Sequence, residues 1–226
     1  MIPPPMAVEI VSAARAVEEI GPGATVMVGG FGLVGAPLTL VEALVASGRA
    51  RDLTVISNNL GEPGKGLGAL LPSGAVRKAI GSYFTSNPDV VAAHARGELE
   101  VELLPQGTLS EAIRAGGAGL GGFYTPTAVG TKLAEGREER DIDGVRYLFQ
   151  VALRADVALI RARTADALGN LVYDKTARNF NPDMATAARV VIAEVDEIVG
   201  VGDLAPELVA TPHLFVDLLV RAERTL

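Results

Sequence analysis

Residues 24–45 read ATVMVGGFGLVGAPLTLVEALV, and they largely determine the fold that we predict. The first five residues form a short apolar run of the kind that a buried parallel strand shows. Glycine-rich residues 29–35 follow, and then Pro37, which suits the first helical position because the N–H there has no partner in any case. The apolar stripe of the helix that begins there consists of Leu40, Leu44 and Val45. The stretch therefore predicts a strand, a glycine turn and a helix.

The remaining sequence alternates between apolar runs and helical patterns at spacings that suit βαβ units. The runs predicted as strands are residues 53–56, 76–80, 99–104, 145–149, 155–160 and 190–195. The segments predicted as helical are residues 7–20, 89–96, 109–114 and 183–188. A tight hairpin is expected at Gly169–Asn170, a charged surface hairpin at 134–144 and a last apolar element at 213–219. We predict one α/β domain over residues 1–226, with an open, mostly parallel sheet flanked by helices.

Composition indicates a globular protein and excludes several kinds of site. Hydrophobic residues make up 49% of the 226 residues and charged residues 21%. Lys and Arg number 20 against 27 Asp and Glu, without a basic stripe, which argues against nucleic acid as a partner. The chain has no cysteine, which excludes disulfides, thiolate metal sites and cysteine nucleophiles. Its two histidines, His94 and His213, are far apart in sequence, so we expect no metal site.

The sequence shows no sign of a signal peptide or a membrane span. The first residues, MIPPPM, lack the basic region and apolar core of a signal peptide. No apolar run reaches the roughly 18 residues that a membrane helix needs. We therefore expect a cytoplasmic protein.

Several predicted strands end in polar or glycine-rich residues. Residues 103–131, LLPQGTLSEAIRAGGAGLGGFYTPTAVGT, contain seven glycines, and Gln106 follows directly after a predicted strand. Asn58 and Asn59 follow another strand, and Gly29 follows the first. Ligands of open α/β sheets bind at the carboxyl ends of strands. Gln106 is therefore the first candidate for substrate contact.

The glycine turn at residues 29–35 has more than one interpretation. Glycines in any βα unit can serve only tight turning and close packing of helix on strand. The pattern G-x-G-x-x-G fits from Gly30 to Gly35. However, the acidic residue expected about 20 residues later is only Asp52, which precedes a strand and does not end one. A dinucleotide site is therefore the weaker interpretation, while a phosphate bound at the helix N-terminus stays open.

A set of motifs resembles one family over nearly the whole chain. Residues 23–37, GATVMVGGFGLVGAP, look like the signature of family I CoA-transferases in the A (alpha) subunit. The family pattern begins with Asp or Asn where this chain has Pro22. Further matching motifs are SNN at 57–59, PQGTL at 105–109, GGAG at 116–119, FYTPT at 123–127, GNL at 169–171 and TARNFNP at 176–182.

The resemblance implies a ping-pong transfer of CoA from an acyl-CoA to a carboxylic acid. It implies a nucleophilic glutamate on a separate B (beta) subunit, an α₂β₂ assembly, and CoA as a carried substrate without a bound metal or nucleotide cofactor. It gives Gln106 the role of oxyanion-hole donor, which suits an amide that donates but does not react. It assigns CoA binding to the glycine turn, namely Gly29, Gly30, Phe31, Gly32, Leu33, Val34 and Gly35. Further substrate-pocket candidates are Asn58, Asn59 and Gly119.

Other residues receive structural interpretations, and some alternatives stay open. Gln106 could instead cap its helix or bond a neighbouring loop. Glu62 is expected on the surface, and Arg178 either pairs with a phosphate or pins a turn or an interface. Both histidines are expected to be structural. A sugar-phosphate isomerase or deaminase of similar architecture, or a non-catalytic CoA- or nucleotide-binding protein, remain alternatives. The acceptor acid stays undecided among acetate, butyrate, acetoacetate and 3-oxoadipate.

Overall fold

The central element of the structure, a computed structural model that describes residues 7–223, is a large, mostly parallel sheet. Its strand order is β1-β12-β11-β9-β2-β3-β4-β5, and a short β10 pairs with β9. These strands are Glu9–Ile10 (β1), Thr25–Val28 (β2), Leu53–Ile56 (β3), Val76–Gly81 (β4), Glu100–Leu103 (β5), Ala155–Asp166 (β9), Leu171–Val172 (β10), Ala188–Val199 (β11) and Leu218–Arg221 (β12). The β9–β10 pair is antiparallel, and the other pairs along this path are parallel. The predicted open, mostly parallel sheet is confirmed.

Helices cover both faces of the sheet. They are Ala13–Ala16 (α1), Leu38–Ser47 (α2), Pro88–Ala95 (α3), Gln106–Gly117 (α4) and Asn181–Ala187 (α5). One core cluster joins α1, α2 and α3 to the sheet, and a second joins α4 and α5 to its other face. Neighbouring strand residues divide between the two clusters: Val26 and Val28 belong to the first, and Met27 to the second. This alternation explains why β2 is apolar over most of its length, since both of its faces are buried.

A smaller antiparallel sheet lies beside the large one and was not predicted as a unit. It consists of Gly122–Thr125 (β6), Glu139–Ile142 (β7) and Val145–Val151 (β8), in the order β6-β8-β7. The β7–β8 pair forms a hairpin with its turn at Asp143 and Gly144. The charged hairpin expected over residues 134–144 therefore lies farther along the chain, and its second strand is the one predicted separately over residues 145–149. The Tyr124 and Phe149 rings pack at 5.1 Å between centroids across β6 and β8.

Two of the predicted helices differ from the structure by more than two residues in their bounds. The helix expected over residues 7–20 begins only at Ala13, because the Ser12 side chain accepts the Arg15 N–H and caps it there. Before it, Glu9–Ile10 form β1, which adds an edge strand to the sheet. The helix expected over residues 109–114 runs instead from Gln106 through Gly117. The segment MIPPPM lies outside the described residues.

Close packing explains why α4 ends in two glycines. A Cβ added to Gly116 would lie 1.9 Å from the Leu153 carbonyl oxygen, and one added to Gly117 would lie 1.9 Å from Thr186 Oγ1. Any side chain at either position would therefore collide with a neighbouring element. Part of the glycine-rich stretch thus serves the packing of α4 and not ligand approach.

Candidate functional site

The carboxyl ends of the parallel strands β2 to β5 meet at one edge of the sheet. Asn58 and Asn59 follow β3, Ser82 follows β4 and Gln106 follows β5. The Asn58 amide nitrogen donates to Ser82 Oγ at 2.9 Å and to Gln106 Oε1 at 3.4 Å. Asn59 Nδ2 in turn donates to Asn58 Oδ1 at 3.1 Å. The structure therefore brings three of the predicted site residues into one hydrogen-bonded row, together with Ser82.

Gln106 lies at the exposed end of this row. Its side chain is solvent-exposed, whereas Asn58 is only 2% exposed. Because Gln106 Oε1 accepts from Asn58, its Nε2 is the group left to donate, and no acceptor within residues 7–223 takes that hydrogen bond. Of the two structural alternatives, capping of the helix is absent at this N-terminus and a bond to a neighbouring loop is present. That bond orients the amide and leaves its donor free.

The N-terminus of α4 opens at the same place. No side chain of the described residues caps this helix end, which begins at Gln106 after Pro105, and its first turn contains no acidic residue. The first N–H groups of a helix lack intrahelical partners and carry partial positive charge. An oxygen that gains negative charge beside Gln106 would therefore meet the amide donor and this positive helix end together.

The N-terminus of α2, directly after the glycine turn, is by contrast occupied. Glu194 reaches it from β11, and its Oε2 accepts the Leu40 N–H at 3.0 Å. Glu194 is fully buried and its Oε1 accepts a hydrogen bond from Arg161. A protein carboxylate therefore occupies the position in which a phosphate was considered at this helix end. The dinucleotide interpretation, which needs the same helix end, fails for the same reason.

Burial changes the acidity of Glu194. Removal from water raises the pKa of this carboxyl, while the N–H of Leu40 and the charge of Arg161 act in the opposite direction. Arg161 also donates to Asp196, so the buried cation is shared by two carboxylates. The Glu194 carboxyl is enclosed and so cannot attack a substrate, and it holds β9, β11 and α2 together.

The glycine turn itself forms a small hairpin that projects from the edge. Phe31 and Val34 exchange backbone hydrogen bonds of 2.9 and 3.2 Å around Gly32 and Leu33. The side chains of Phe31 and Val34 remain 49% and 51% exposed. We call residues 31–34 the hairpin tip.

Three clefts are bordered by residues of the hairpin tip. One narrow cleft separates it from the segment after β3, with Gly29 and Gly32 facing Ser57 and Asn59. A groove of about 260 Å³ lies between residues 33–35 and residues 174–177. A third, of about 240 Å³, lies between Leu33 and residues 64–66. The tip is therefore reachable by a ligand and lies next to the predicted substrate residue Asn59.

Two of the turn glycines are required by close contacts with residues 177–181, from a distant part of the chain. A Cβ on Gly29 would lie 1.8 Å from Asn181 Oδ1, and one on Gly35 would lie 2.3 Å from the Ala177 carbonyl oxygen and 2.7 Å from Asn179 Nδ2. Gly32 has nothing within 4 Å of the corresponding position. The glycines at 29 and 35 thus serve packing, whereas the glycine in the hairpin tip has open space above it.

Other residues singled out in the sequence lie elsewhere. Gly119 terminates α4 in a left-handed conformation (φ +76), about 20 Å along the helix from Gln106 at 1.5 Å per residue. Glu62 is exposed and pairs with Lys65 at 3.7 Å. His94 bonds the Leu99 carbonyl at 3.0 Å, and Arg178 lies at the end of a short 3₁₀ helix. The structure does not bring Gly119 together with the Gln106 row.

Weak signals in the sequence mark the site residues that were not predicted. Ser82 lies two positions after a predicted strand, as Asn58 does, and this is the pattern that selected Asn58. Arg161 and Glu194 are charged residues inside otherwise apolar strand sequences, which is a sign of a buried pair. No cluster of metal-binding side chains occurs among the residues that the structure describes. Across the same residues, no helix has the length and apolarity to cross a membrane.

None of the hydrogen bonds formed by the side chains of the row involves a carboxylate. Within residues 7–223 their partners are backbone groups, hydroxyls and amides, among them the Gly61 N–H for Asn59. The edge thus provides donors for developing negative charge. The row itself contains no nucleophile or general base of the carboxylate type.

Comparison with known proteins gives a consistent assignment. The model of the family described as coenzyme A transferase matches residues 10–222. The A (alpha) chain of the 3-oxoadipate CoA-transferase of Pseudomonas putida is 50% identical over 211 residues, which cover 92% of this chain and 91% of that protein. The A chain of the succinyl-CoA:3-ketoacid coenzyme A transferase of Xanthomonas campestris pv. campestris (strain B100) is 52% identical over 201 residues, covering 89% and 83%.

A solved acyl-CoA transferase from E. coli O157:H7, in a thioester complex with CoA, has a similar fold. It superposes with a TM-score of 0.89 at 24% sequence identity and covers 97% of this chain. The chain described here spans about half the length of that protein, 48%.

Proposed function

The chain belongs to the coenzyme A transferase family, and from this we propose that it is the alpha subunit of a two-subunit CoA-transferase. The enzyme moves CoA between an acyl-CoA and a short-chain or 3-oxo carboxylic acid. The observation that supports this most strongly is the exposed Gln106 amide, which is oriented by Asn58 beside an uncapped helix end. The hydrogen-bonded row that contains Gln106 can stabilise negative charge but has no carboxylate nucleophile, as expected for one half of a site shared with a second chain.

The reaction divides into steps that balance without a cofactor. A glutamate oxygen of the partner chain attacks the thioester carbonyl carbon, and the carbonyl oxygen becomes an oxyanion. The carbon–sulfur bond then breaks, which releases CoA as a thiolate and leaves an acyl–glutamyl anhydride. The thiolate attacks the glutamyl carbonyl, frees the first carboxylic acid as its carboxylate, and forms a glutamyl–CoA thioester. The second acid reverses these steps and leaves as the new acyl-CoA.

Among these reaction steps, Gln106 acts at the one in which the oxyanion forms. Its Nε2 donates to the oxygen that gains charge, and the N-terminus of α4 adds a positive potential. Asn58 fixes the amide so that little reorganisation is needed at that moment. The side chain itself stays chemically unchanged, which is why an amide suits this position.

The partner is a beta subunit that supplies the glutamate. The two relatives from Pseudomonas putida and Xanthomonas campestris are each named as the A chain of their enzyme, a designation that calls for a second kind of chain. The absence of a carboxylate in the Gln106 row supports the same division, because the attacking group then has to come from that second chain. We propose an α₂β₂ assembly of two such pairs, with the described chain acting as one domain over residues 1–226.

Coenzyme A is the carried substrate, and the enzyme needs no permanently bound cofactor. We propose that CoA lies along the grooves beside the hairpin tip, in contact with residues 29–35. The Glu194 carboxylate occupies the N-terminus of α2, so the CoA phosphates bind to groups other than this helix end. Asn59 borders the cleft next to the tip and is the residue best placed to contact the acyl part.

Within the range of short-chain and 3-oxo acids, we propose the 3-oxo acids acetoacetate and 3-oxoadipate as the first acceptors to test. The relatives from Xanthomonas campestris and Pseudomonas putida are named for a 3-ketoacid and for 3-oxoadipate, and both match this chain at about the same identity. We place the enzyme in the cytoplasm, where acyl-CoA substrates are available.

An exchange assay with a matching beta subunit tests the proposal. The two chains are co-expressed, and CoA transfer from succinyl-CoA to acetoacetate, 3-oxoadipate or acetate is followed by chromatography of the acyl-CoA species. We expect transfer only when both chains are present. Binding of CoA without transfer to any acid would favour a non-catalytic binding protein, and full activity of this chain alone would contradict the division of labour.

A further inference from the structure

We propose that Asn179 and Asn181, which we call the asparagine clamp, are positioning residues that hold the glycine turn in its working shape. This inference rests on the proposed CoA-transferase function. It concerns two side chains that follow a short 3₁₀ helix about 145 residues after the turn in sequence. Their backbone lies outside the large sheet, so their effect on the turn is made through side-chain amides.

The clamp binds the turn on both of its arms. Asn179 Oδ1 accepts the Gly30 N–H at 3.1 Å, and Asn179 Nδ2 donates to the Val34 carbonyl at 3.0 Å. Asn181 Nδ2 donates to the Gly35 carbonyl at 3.1 Å. One amide thus spans the two arms of the hairpin on either side of residues 31–33. Without it, the hydrogen bonds between Phe31 and Val34 would have to tie these arms together at the tip.

The clamp residues are themselves firmly fixed. Asn181 is fully buried and its Oδ1 accepts the Arg161 N–H at 2.9 Å. Arg161 belongs to the buried ion pair with Glu194, whose carboxylate caps α2. The clamp and the cap therefore hold the turn from its two ends, one at the glycines and the other at the start of the helix.

Asn179 adopts a backbone conformation that few residues other than glycine take. Its φ is +23, and its Oδ1 also accepts the Phe180 N–H at 2.7 Å. Backbone strain of this kind persists only where the surroundings over-determine it, and it occurs preferentially at functional positions. The strain places the Asn179 amide between Gly30 and Val34, where it forms hydrogen bonds with both.

A substitution to glycine separates positioning from folding. Asn179→Gly relieves the backbone strain and removes the amide, while Asn179→Asp keeps the acceptor for Gly30 and loses the donor for Val34. Leu99→Val serves as the control, since Leu99 is buried at the opposite, amino edge of the sheet. It weakens the core without any contact to the turn.

The experiment uses the complex of this chain with its beta subunit and succinyl-CoA as donor. We expect Asn179→Gly to lower kcat/KM by about tenfold or more, since small displacements of a substrate-positioning element reduce rate strongly. Asn179→Asp should also lower kcat/KM, because its carboxylate oxygen would face the Val34 and Thr176 carbonyl oxygens to which the amide now donates. Leu99→Val should stay within about twofold of the wild type at a comparable or lower melting temperature. Amide hydrogen exchange over residues 29–36 should accelerate in Asn179→Gly and not in Leu99→Val.

The outcomes distinguish this inference from the function on which it rests. An active wild type with an Asn179→Gly variant of undiminished kcat/KM overturns the clamp and leaves the proposed function standing. Equal losses in Asn179→Gly and Leu99→Val also overturn it, because they would reflect stability alone. A wild-type complex that transfers CoA to none of the acids instead overturns the proposed function.

Discussion

Gln106 combines two properties that a donor to a developing oxyanion needs. Its side chain is exposed, so a substrate can reach it, and its Oε1 is engaged by Asn58, so Nε2 is left to donate. The same residue starts α4, whose N-terminus adds partial positive charge. A single amide side chain thus occupies a position where the sheet edge and a free helix end coincide.

Replacing this amide should reduce the rate and spare the fold. We expect Gln106→Ala to lower kcat by about 10²–10³, the usual effect of losing one oxyanion donor. Glu111→Gln is the control on the same helix, because its exposed ion pair with Arg114 contributes little. Thermal unfolding checks both variants. A Gln106→Ala enzyme with wild-type kcat would remove this residue from the mechanism.

The glycine at position 29 is required by packing, which stability measurements can show. Gly29→Ala places a Cβ 1.8 Å from Asn181 Oδ1, inside the buried network. The shifts that remove such an overlap typically lower the unfolding free energy by about 1–3 kcal/mol. We expect urea denaturation of Gly29→Ala to show a decrease in that range. Gly121→Ala, which meets nothing within 4 Å, should change little. Equal effects at the two positions would refute the packing explanation.

Among the helices and strands, local patterns predicted most of the large sheet. The strand at residues 53–56 has the predicted bounds, and the strand, turn and helix around Gly29 follow the expected order. Apolar runs buried on both faces and glycine or proline at their ends are local features, which a sequence displays directly. The helix start expected at residue 7 was wrong because Glu9–Ile10 pair with β12, a partner more than 200 positions away, and the helix begins only at Ala13.

Some features of the candidate site could be predicted from local sequence, whereas others depend on contacts between distant residues. The meeting of Asn58 and Gln106 followed from parallel topology, since the carboxyl ends of the parallel strands β3, β4 and β5 share an edge of the sheet. The roles of Asn179 and Glu194 depend on contacts across about 150 residues. The charge of Glu194 within an apolar strand indicates burial, but no local pattern shows which residues either side chain contacts. The carboxylate that occupies the start of α2 comes from β11, far along the sequence. The sequence alone therefore left this helix end open as a phosphate site.

Glu194 gives the attachment of α2 a dependence on pH. Burial raises the pKa of this carboxyl, so the folded state keeps its proton to higher pH than the unfolded chain does. The stability that this raised pKa contributes is fully present below the ordinary glutamate pKa of about 4.3. It is lost as the pH rises through the raised pKa of the folded state. Glu194→Gln keeps an acceptor for Leu40 and removes the titration.

We therefore expect the stability of the wild type relative to Glu194→Gln to fall as the pH rises from about 4 upward. Urea denaturation of both proteins across a pH series measures the difference in unfolding free energy at each step. The prediction concerns how the difference in unfolding free energy changes with pH. A pH-independent difference between the two proteins therefore does not affect the sign of that change. A wild-type advantage that grows with pH would show that the pairing with Arg161 outweighs burial.

The molecule taken whole provides one half of a site. The large sheet presents a row of amides and hydroxyls at its carboxyl edge, with the hairpin tip projecting beside it. Within residues 7–223, no side chain of that row bonds a carboxylate, and the buried Glu194 near the turn is occupied by structural contacts. On the proposed function, the attacking carboxylate has to come from another polypeptide.

The location of the covalent intermediate shows which chain carries the nucleophile. The complex of the two chains is incubated with succinyl-CoA without an acceptor acid, and the mass of each separated chain is measured. We expect the beta subunit to gain the mass of CoA less one water, as a thioester on one glutamate requires, whereas the chain described here keeps its own mass. A CoA adduct on this chain, with none on its partner, would contradict the shared site.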